Sequence, residues 1–430
     1  MTYSEIQAYM TEAARLGNVM GFDGIRGLLD ELANPQEAVP AIHIAGTNGK
    51  GSIMTYIEYA LKETGLRVGR FISPAIFDLR DMWRIDTESI SEERFCELMT
   101  RVIEADRTDK EYRHATVFEL ETALAFLLFR EENCDIALVE CGMGGRTDAT
   151  NVIERSVLDI IASVSMDHME VLGNTPSEIA LEKLGIVRDS ARLVAYPQTD
   201  DVTKVIVDYV NQHNVSFSSP DMSAVEILRA DYSGSEFSYK GSSYEINIGG
   251  TYQVRNAVTA VEALHSYNEV CDAFGLTRVT EDCISRGFAA AVWPARFCVL
   301  RENPLFIADG AHNPDAWMGL AADIRKYFTN RRVIFIMGVL KDKQYMEMLR
   351  IMMPLSDYIY TVTPDSKRAL DGQKLLRCID EVKTGDTPGA EYAESIGAAA
   401  KRAVDRAGDD GVIIAMGSLS YMGELISEES

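Results

Sequence analysis

Short runs of mostly apolar residues, separated by longer stretches of helical periodicity, recur along the chain. Residues 41–45 ("AIHIA"), 136–139 and 160–164 are bounded by polar or glycine residues, as strands buried on both faces of a parallel sheet are. Between them, 52–63 and the stretch from Phe118 ("FELETALAFLLFREE") place apolar residues at i, i+3 and i+4, which predicts helices. The same alternation returns after about residue 300, with strands predicted at 305–308, 333–337, 358–362 and 412–416. Residues 217–248 differ: period-2 pieces broken by Ser and Gly predict a small antiparallel patch inserted before the first unit closes. The pattern yields two α/β units, 1–295 and 296–430, parted near "WPARF" (293–297). Neither a repeat nor a low-complexity tract interrupts it.

Composition agrees with this division. A chain of 430 residues exceeds one typical core, and 47% hydrophobic with 25% charged residues is a globular balance. The formal net charge of -24 repels polyanions, which argues against nucleic acid and anionic membranes as partners. An anionic small substrate would need local positive charge. Seven scattered cysteines without a C-x-x-C pair read as free thiols in a reducing compartment. The first residues lack a basic-then-apolar leader, and no apolar run reaches about 18 residues, so a cytoplasmic protein is expected.

The chemistry sits at strand ends. "AIHIAGTNGKGS" (41–52) fails the general phosphate-loop pattern G-x-x-x-x-G-K-[ST]: Ile44 stands where the first Gly belongs, and Gly51 separates Lys50 from Ser52. A strand, a glycine-rich turn and a helix nevertheless aim backbone N–H groups at one point, as a phosphate requires. On that reading Gly46, Thr47, Asn48, Gly49, Lys50, Gly51 and Ser52 cradle phosphates, Lys50 reaches the β/γ-phosphates and Ser52 faces Mg²⁺. The alternative is an ordinary turn with an exposed lysine.

Four further stretches carry polar residues beyond what folding requires. In "VECGMGGRTDATN" (139–151), Glu140 ends a strand where a metal-binding acid would stand, and the glycines of 142–145 permit close approach of backbone to ligand. In "SMDHMEVLG" (165–173), a lone His168 is more often a packed histidine than a ligand, but its place just past a strand end makes it a candidate ligand. In "EKLGIVR" (182–188), Lys183 has the pattern of a helix-surface lysine. In "IADGAHNP" (307–314), Asp309, His312 and Asn313 form either a binding loop or a capped turn with Pro314 in the first helical turn.

Together these residues resemble the Mur-ligase family of ATP-dependent amide-bond ligases, in its folylpolyglutamate synthase and dihydrofolate synthase branch. "ANPQ", "GTNGKGS", "TVFELETALAF", "VECGMGGRTDATN", "DHMEVLG", "EKLGI", "YQVRNAVTA", "WPARF", "DGAHNP" and "GSLSYMGE" occur in the family's order over roughly residues 20–425. The resemblance implies a P-loop-type, mostly parallel sheet domain followed by a smaller Rossmann-like α/β domain that brings glutamate. It also implies ATP as phosphoryl donor and an acyl-phosphate intermediate. Carried over residue by residue, it gives Lys50, Glu140, His168 and Lys183 to catalysis, with Ser52 and Glu140 on one Mg²⁺ and Ser73, Glu140 and His168 on a second. Asn256, Arg296, Asp309 and His312 take nucleotide contacts, and Lys183 matches a lysine that becomes carbamylated. A pterin-type substrate would enter near Phe22, Asp23, Gly24, Phe118, Thr147 and Asp148. Family members are commonly monomers.

Two stretches depart from the family pattern. In "SPAIFDLRDMWRID" (73–86), against S-P-H-L/I…E-R-x-R, Ala75 replaces His, Asp81 replaces Glu and Met82 replaces Arg. In "WPARF", Ala295 stands for Gly and Cys298 follows where an acid is common, while Arg296 is retained. The acceptor is accordingly a folate, a dihydropteroate, or another carboxylate such as a cell-wall precursor. The "GTNGKGS" form and the lack of a UDP-binding N-terminal domain weigh against the last. A non-catalytic nucleotide-binding regulator is the remaining alternative, against which Lys50, Glu140, His168 and Lys183 stand.

Overall fold

The structure, a computed structural model, describes residues 1–17, 19, 21–75, 77–107, 114–294, 296–382 and 388–429, so the departure at Ala295 lies outside the described residues. The apolar runs form two separate sheets. The first is built from β1 (Ala41–Ala45), β2 (Val68–Phe71), β3 (Trp83–Ile85), β4 (Glu88–Ser89), β5 (Ile136–Glu140), β6 (Ser156–Ile161), β7 (Arg192–Ala195) and β8 (Ser216–Ser218). Its order is β4-β3-β2-β5-β1-β6-β7-β8, parallel from β2 through β8, with antiparallel β2–β3 and β3–β4 pairs at one edge. Strands β1 and β5 are buried throughout, as parallel strands covered on both faces must be. Helices Lys50–Lys62, Tyr252–Asn268 and Glu281–Ala290 cover one face. Helices Asp23–Glu31, Glu92–Asp106 and Val117–Glu131 cover the other.

Strands β9 (Val225–Asp231), β10 (Gly234–Tyr239) and β11 (Ser242–Ile246) make a separate antiparallel sheet. The C-terminal sheet joins β12 (Cys298–Glu302), β13 (Leu305–Asp309), β14 (Val333–Met337), β15 (Tyr358–Thr361), β16 (Gly389–Tyr392) and β17 (Val412–Met416) in the order β12-β13-β17-β14-β15-β16. It is parallel except for the β12 edge. Among the described residues no helix is long and apolar enough to cross a membrane.

Three elements differ from the pattern-based expectation. The strand expected at 160–164 is Ser156–Ile161. Asp159 interrupts the apolar run in sequence, yet it is fully buried, accepts a bond from the Ser156 hydroxyl at 2.6 Å, and is pushed up to about 7 by burial. Phe217 is not in the antiparallel patch; it lies in edge strand β8, paired in parallel with Leu193. The helix expected from residue 52 starts at Lys50, because Gly49 provides the left-handed cap at φ 86°.

Candidate active site

The site begins where β1 runs into the loop 46–49. No side chain caps the following helix, so its first N–H groups are left for a ligand. Two glycines are dictated by space. A Cβ on Gly49 would lie 2.7 Å from Asn256 Oδ1 at a φ of +86°, and a Cβ on Gly51 would lie 2.3 Å from the Trp293 ring. Thr47 is fastened to the chain after β6: its amide donates to Ser163 O at 2.7 Å and its hydroxyl to Ser165 O at 3.1 Å. The start of helix Tyr252–Asn268 supports the loop from below. Asn256 donates to Gln253 Oε1 at 3.0 Å, and Gln253 Nε2 donates to Ser52 Oγ at 3.2 Å. Gln253, which is fully buried, was not singled out from the sequence; its place in the "YQVRNAVTA" stretch was the available signal.

Charge converges on one carbonyl. Lys50 Nζ donates to Gly46 O at 3.0 Å and lies 3.5 Å from Glu140 Oε1. Lys183 Nζ reaches the same Gly46 O, also at 3.0 Å. Lys183 is therefore buried, not on the helix surface that its spacing suggested. Burial, helped by Lys50, lowers its pKa to about 7. Burial pushes Glu140 up, against the pull of Lys50, Arg296 and Arg70. His168 takes a left-handed φ of 49° at the start of the one-turn helix Met169–Leu172; burial lowers its pKa while Asp167 resists.

The C-terminal domain closes the other side. Lys343 donates to Asp167 Oδ1 at 3.0 Å, with both side chains largely buried. Burial raises Asp167, but Lys343 and His168 outweigh it and hold the carboxylate at about 2. His312 Nδ1 donates to Gly310 O at 2.9 Å, and burial lowers its pKa to about 4. Asn313 forms the capped turn: its Oδ1 caps helix Pro314–Phe328, while its Nδ2 donates to Asn48 Oδ1 at 2.9 Å across the domains. Asp309 accepts from Phe297 N, Ala311 N and the Tyr252 hydroxyl, so here it clamps the junction. Arg296 acts electrostatically on Glu140, Tyr252 and His312.

A cavity of about 780 Å³ opens between these parts. Ser73, Phe118, Thr147, Asp148, His168 and His312 all line it. Phe22, Asp23 and Gly24 are not among its lining residues; Gly17, Val19 and Gly21 supply that wall. Phe22 instead lies under the Arg26 guanidinium at 4.9 Å, and Asp23 is exposed. Ala75 and Met82, the two main departures, both face the cavity. Asp148 is anchored from both oxygens: Oδ1 accepts from Thr150 N and the Thr150 hydroxyl, Oδ2 from Met143 N at 2.9 Å. Buried His43 holds the Thr150 hydroxyl at 2.9 Å.

Among the described residues no three His, Cys, Asp or Glu side chains converge as a metal cage. The donors present are a buried hydroxyl (Ser52) and a buried carboxylate (Glu140), hard oxygens that suit Mg²⁺ completed by phosphates and water.

Known proteins share this architecture. Residues 44–264 match the Mur ligase middle domain and residues 295–419 the Mur ligase glutamate ligase domain. The chain is 30% identical to the dihydrofolate synthase/folylpolyglutamate synthase of Bacillus subtilis, over 98% of both chains. It is 32% identical to the folylpolyglutamate synthase of Lacticaseibacillus casei, over 86% of this chain and 87% of that one. The structure of Mycobacterium tuberculosis folylpolyglutamate synthase, complexed with ADP and AMPPCP, superposes with a TM-score of 0.86 at 28% identity over 99% of each chain. The chain belongs to the Mur ligase family, in its folylpolyglutamate synthase and dihydrofolate synthase branch.

Proposed function

We propose that this ATP-dependent ligase joins L-glutamate to the carboxylate of a folate-type acceptor, tetrahydrofolate, dihydropteroate or both. The observation that carries the reading is the meeting of Lys50 and Lys183 on the Gly46 carbonyl with Glu140 3.5 Å from Lys50, in a molecule whose cavity is lined by His168, His312 and Lys343.

A carboxylate is a poor electrophile until one oxygen becomes a leaving group. Transfer of the ATP γ-phosphoryl to that oxygen gives an acyl phosphate and ADP. The glutamate amine then attacks the carbonyl carbon, inorganic phosphate departs with the C–O electron pair, and the amine loses a proton. Catalysis of the first step is mostly positioning and charge neutralisation. The free N–H groups at the start of helix Lys50–Lys62 bind phosphate, and Lys50 swings from Gly46 O to the β/γ-phosphates. Asn256 and Arg296 hold the nucleotide, and Asp309 and His312 complete its pocket. Ser52 and Glu140 would hold one Mg²⁺, and Ser73, Glu140 and His168 a second; bound there, Mg²⁺ supplies positive charge to the transferring phosphoryl.

Lys183 acts as a carbamate. At about 7 its pKa leaves much of it as free amine near neutrality, the form whose nitrogen adds CO₂ and releases a proton. The product is an anion beside Lys50, where the free lysine sets two ammonium groups on one carbonyl. The domain break lies at 293–297. As family members commonly do, the enzyme acts as a monomer, in the reducing cytoplasm that its free cysteines suit.

A second reading keeps the chemistry and changes the acceptor to a non-folate carboxylate, motivated by Ala75 and Met82 in the cavity wall. The test is ADP release with Mg²⁺ and L-glutamate, comparing dihydropteroate, tetrahydrofolate, tetrahydrofolate diglutamate and no acceptor, with products weighed by mass spectrometry. One added glutamyl unit on a pterin acceptor is expected. Nucleotide binding without any pterin product would transfer the case to the second reading.

A further inference from the structure

Glu121 stands apart from the other acids of the cavity. It lies on helix Val117–Glu131, one turn beyond Phe118 and on the same face, and both residues line the cavity. Apolar Ala75, Leu79, Met82 and Val117 line the same cavity. The Trp83 indole N–H donates to the Glu121 carbonyl at 3.1 Å, which fixes this turn of helix against β3. The side chain keeps partial exposure although protein surrounds it deeply enough for burial alone to push its pKa to about 8. Its open side is thus the cavity.

The other two acids in this wall are already engaged. Glu119 accepts from Thr116 N, the Thr116 hydroxyl and Ile25 N, and Asp148 accepts from Met143 N, Thr150 N and the Thr150 hydroxyl. No hydrogen bond or ion pair holds the Glu121 carboxyl among the described residues. Partly exposed to the cavity and held by no described side chain there, the carboxyl is free to be completed by a ligand that enters it. The cavity is also polarised. Its cations, Lys343 and Arg368, come from the C-terminal domain, and its carboxyls from the N-terminal one. Where the family pattern would set His and Arg, Ala75 and Met82 leave Glu121 without a cation from that loop.

We propose that the Glu121 carboxyl recognises the heterocyclic end of the acceptor, accepting hydrogen bonds from a ring edge with adjacent N–H donors, as in a 2-amino-4-oxopyrimidine. This rests on the folate-type reading above. The acid provides selectivity: an analogue lacking the exocyclic amine leaves a buried acceptor unpaired, and sites built on hydrogen bonds discriminate strongly on that account.

The experiment titrates full-length enzyme, and its Glu121→Gln and Glu121→Leu variants, with 6-methylpterin and with its 2-desamino analogue by calorimetry. Retained ADP binding and a cooperative melt show that the variants fold; leucine suits the apolar wall should glutamine not. Wild type should prefer 6-methylpterin by about tenfold or more, and both variants should lose that preference to within about twofold. With dihydropteroate the Gln variant should raise KM about tenfold while kcat stays within about threefold. Undiminished affinity and preference in the Leu variant, or no binding or no preference in wild type, would overturn the assignment. The two readings fail separately. Glutamylation of dihydropteroate with identical KM in all three proteins removes only the role of Glu121, whereas heterocycle discrimination without glutamyl product leaves Glu121 in place and removes the ligase substrate.

Discussion

Around the phosphate loop the chain commits its polar groups before any ligand arrives. Lys50 is held by Gly46 O, Thr47 O and Glu140, Ser52 by Gln253, and Asn48 by Asn313 across the domain junction. The acceptor wall is mixed: Glu119 and Asp148 are held as firmly, but apolar residues face a wide cavity, two positions depart from the family pattern, and one carboxyl has no partner among the described residues. A triphosphate is the same ligand in every such enzyme, and a preorganised cradle avoids reorganisation at the moment of transfer. Acceptors differ, and an apolar wall with few fixed polar groups lets shape and one or two hydrogen bonds decide between them. Substitutions at the two ends should consequently fail in different ways, in turnover at the first and in acceptor choice at the second.

The largest effect is expected at Glu140. Glu140→Ala removes the carboxylate facing Lys50 and should lower kcat/KM by about a thousandfold, for every acceptor alike, in an ADP-release assay. Turnover at wild-type level would dissolve the contrast between the two ends. Next comes Lys183→Ala, with about a hundredfold loss that is again independent of acceptor. Its pH behaviour has a sign. The amine form grows as pH rises through about 7, so at equal dissolved CO₂ enzyme stripped of it should recover faster at pH 8 than at pH 6. Indifference to bicarbonate together with wild-type rates in the alanine variant would make Lys183 a structural lysine. A smaller effect is expected from Gly51→Ala, whose Cβ would meet the Trp293 ring. Overpacking of this kind costs about 1–3 kcal/mol, read by thermal unfolding, and should raise the KM for ATP. Adding Trp293→Leu should recover part of both; a melt unchanged by Gly51→Ala would mean that the ring simply moves aside.

What the sequence made legible follows the range of the interactions involved. The strand, loop and helix of 41–62 could be read because they are a local pattern. Glu140 could be placed because it ends β5, and His168 because it follows β6, the strands on either side of β1. Lys183 could not be placed by spacing alone, since its burial comes from the loop at Gly46, far away in sequence. The strand at Ser156–Ile161 was displaced by a buried aspartate whose Ser156 partner is invisible to a hydropathy pattern. Phe22 to Gly24 sit at the right helix, but the preceding segment turns its residues to the cavity instead. Glu121 was the least legible, because an acid among leucines on an amphipathic helix reads as its solvated side until β3 and the loop before it are known to cover that face.

The smallest expected effect separates the two ends by stability alone. The Glu121 carboxyl ionises at about 8 in the folded chain and near the ordinary carboxylate value of 4.5 when unfolded. Between these values the unfolded chain has released a proton that the folded chain keeps, so this group subtracts stability progressively as pH rises from about 5 to 8. Glu121→Gln removes the dependence. Allowing for water in the cavity, its advantage over wild type should grow by about 1–2 kcal/mol across that range, measured by chemical unfolding at each pH. Saturating pterin acceptor should reverse the order at pH 8, because ring N–H donors then favour the carboxylate of wild type. A gap between the two proteins that stays constant with pH would mean that Glu121 meets solvent like any surface acid, and the acceptor wall would then hold no unpartnered group to set it apart from the phosphate loop.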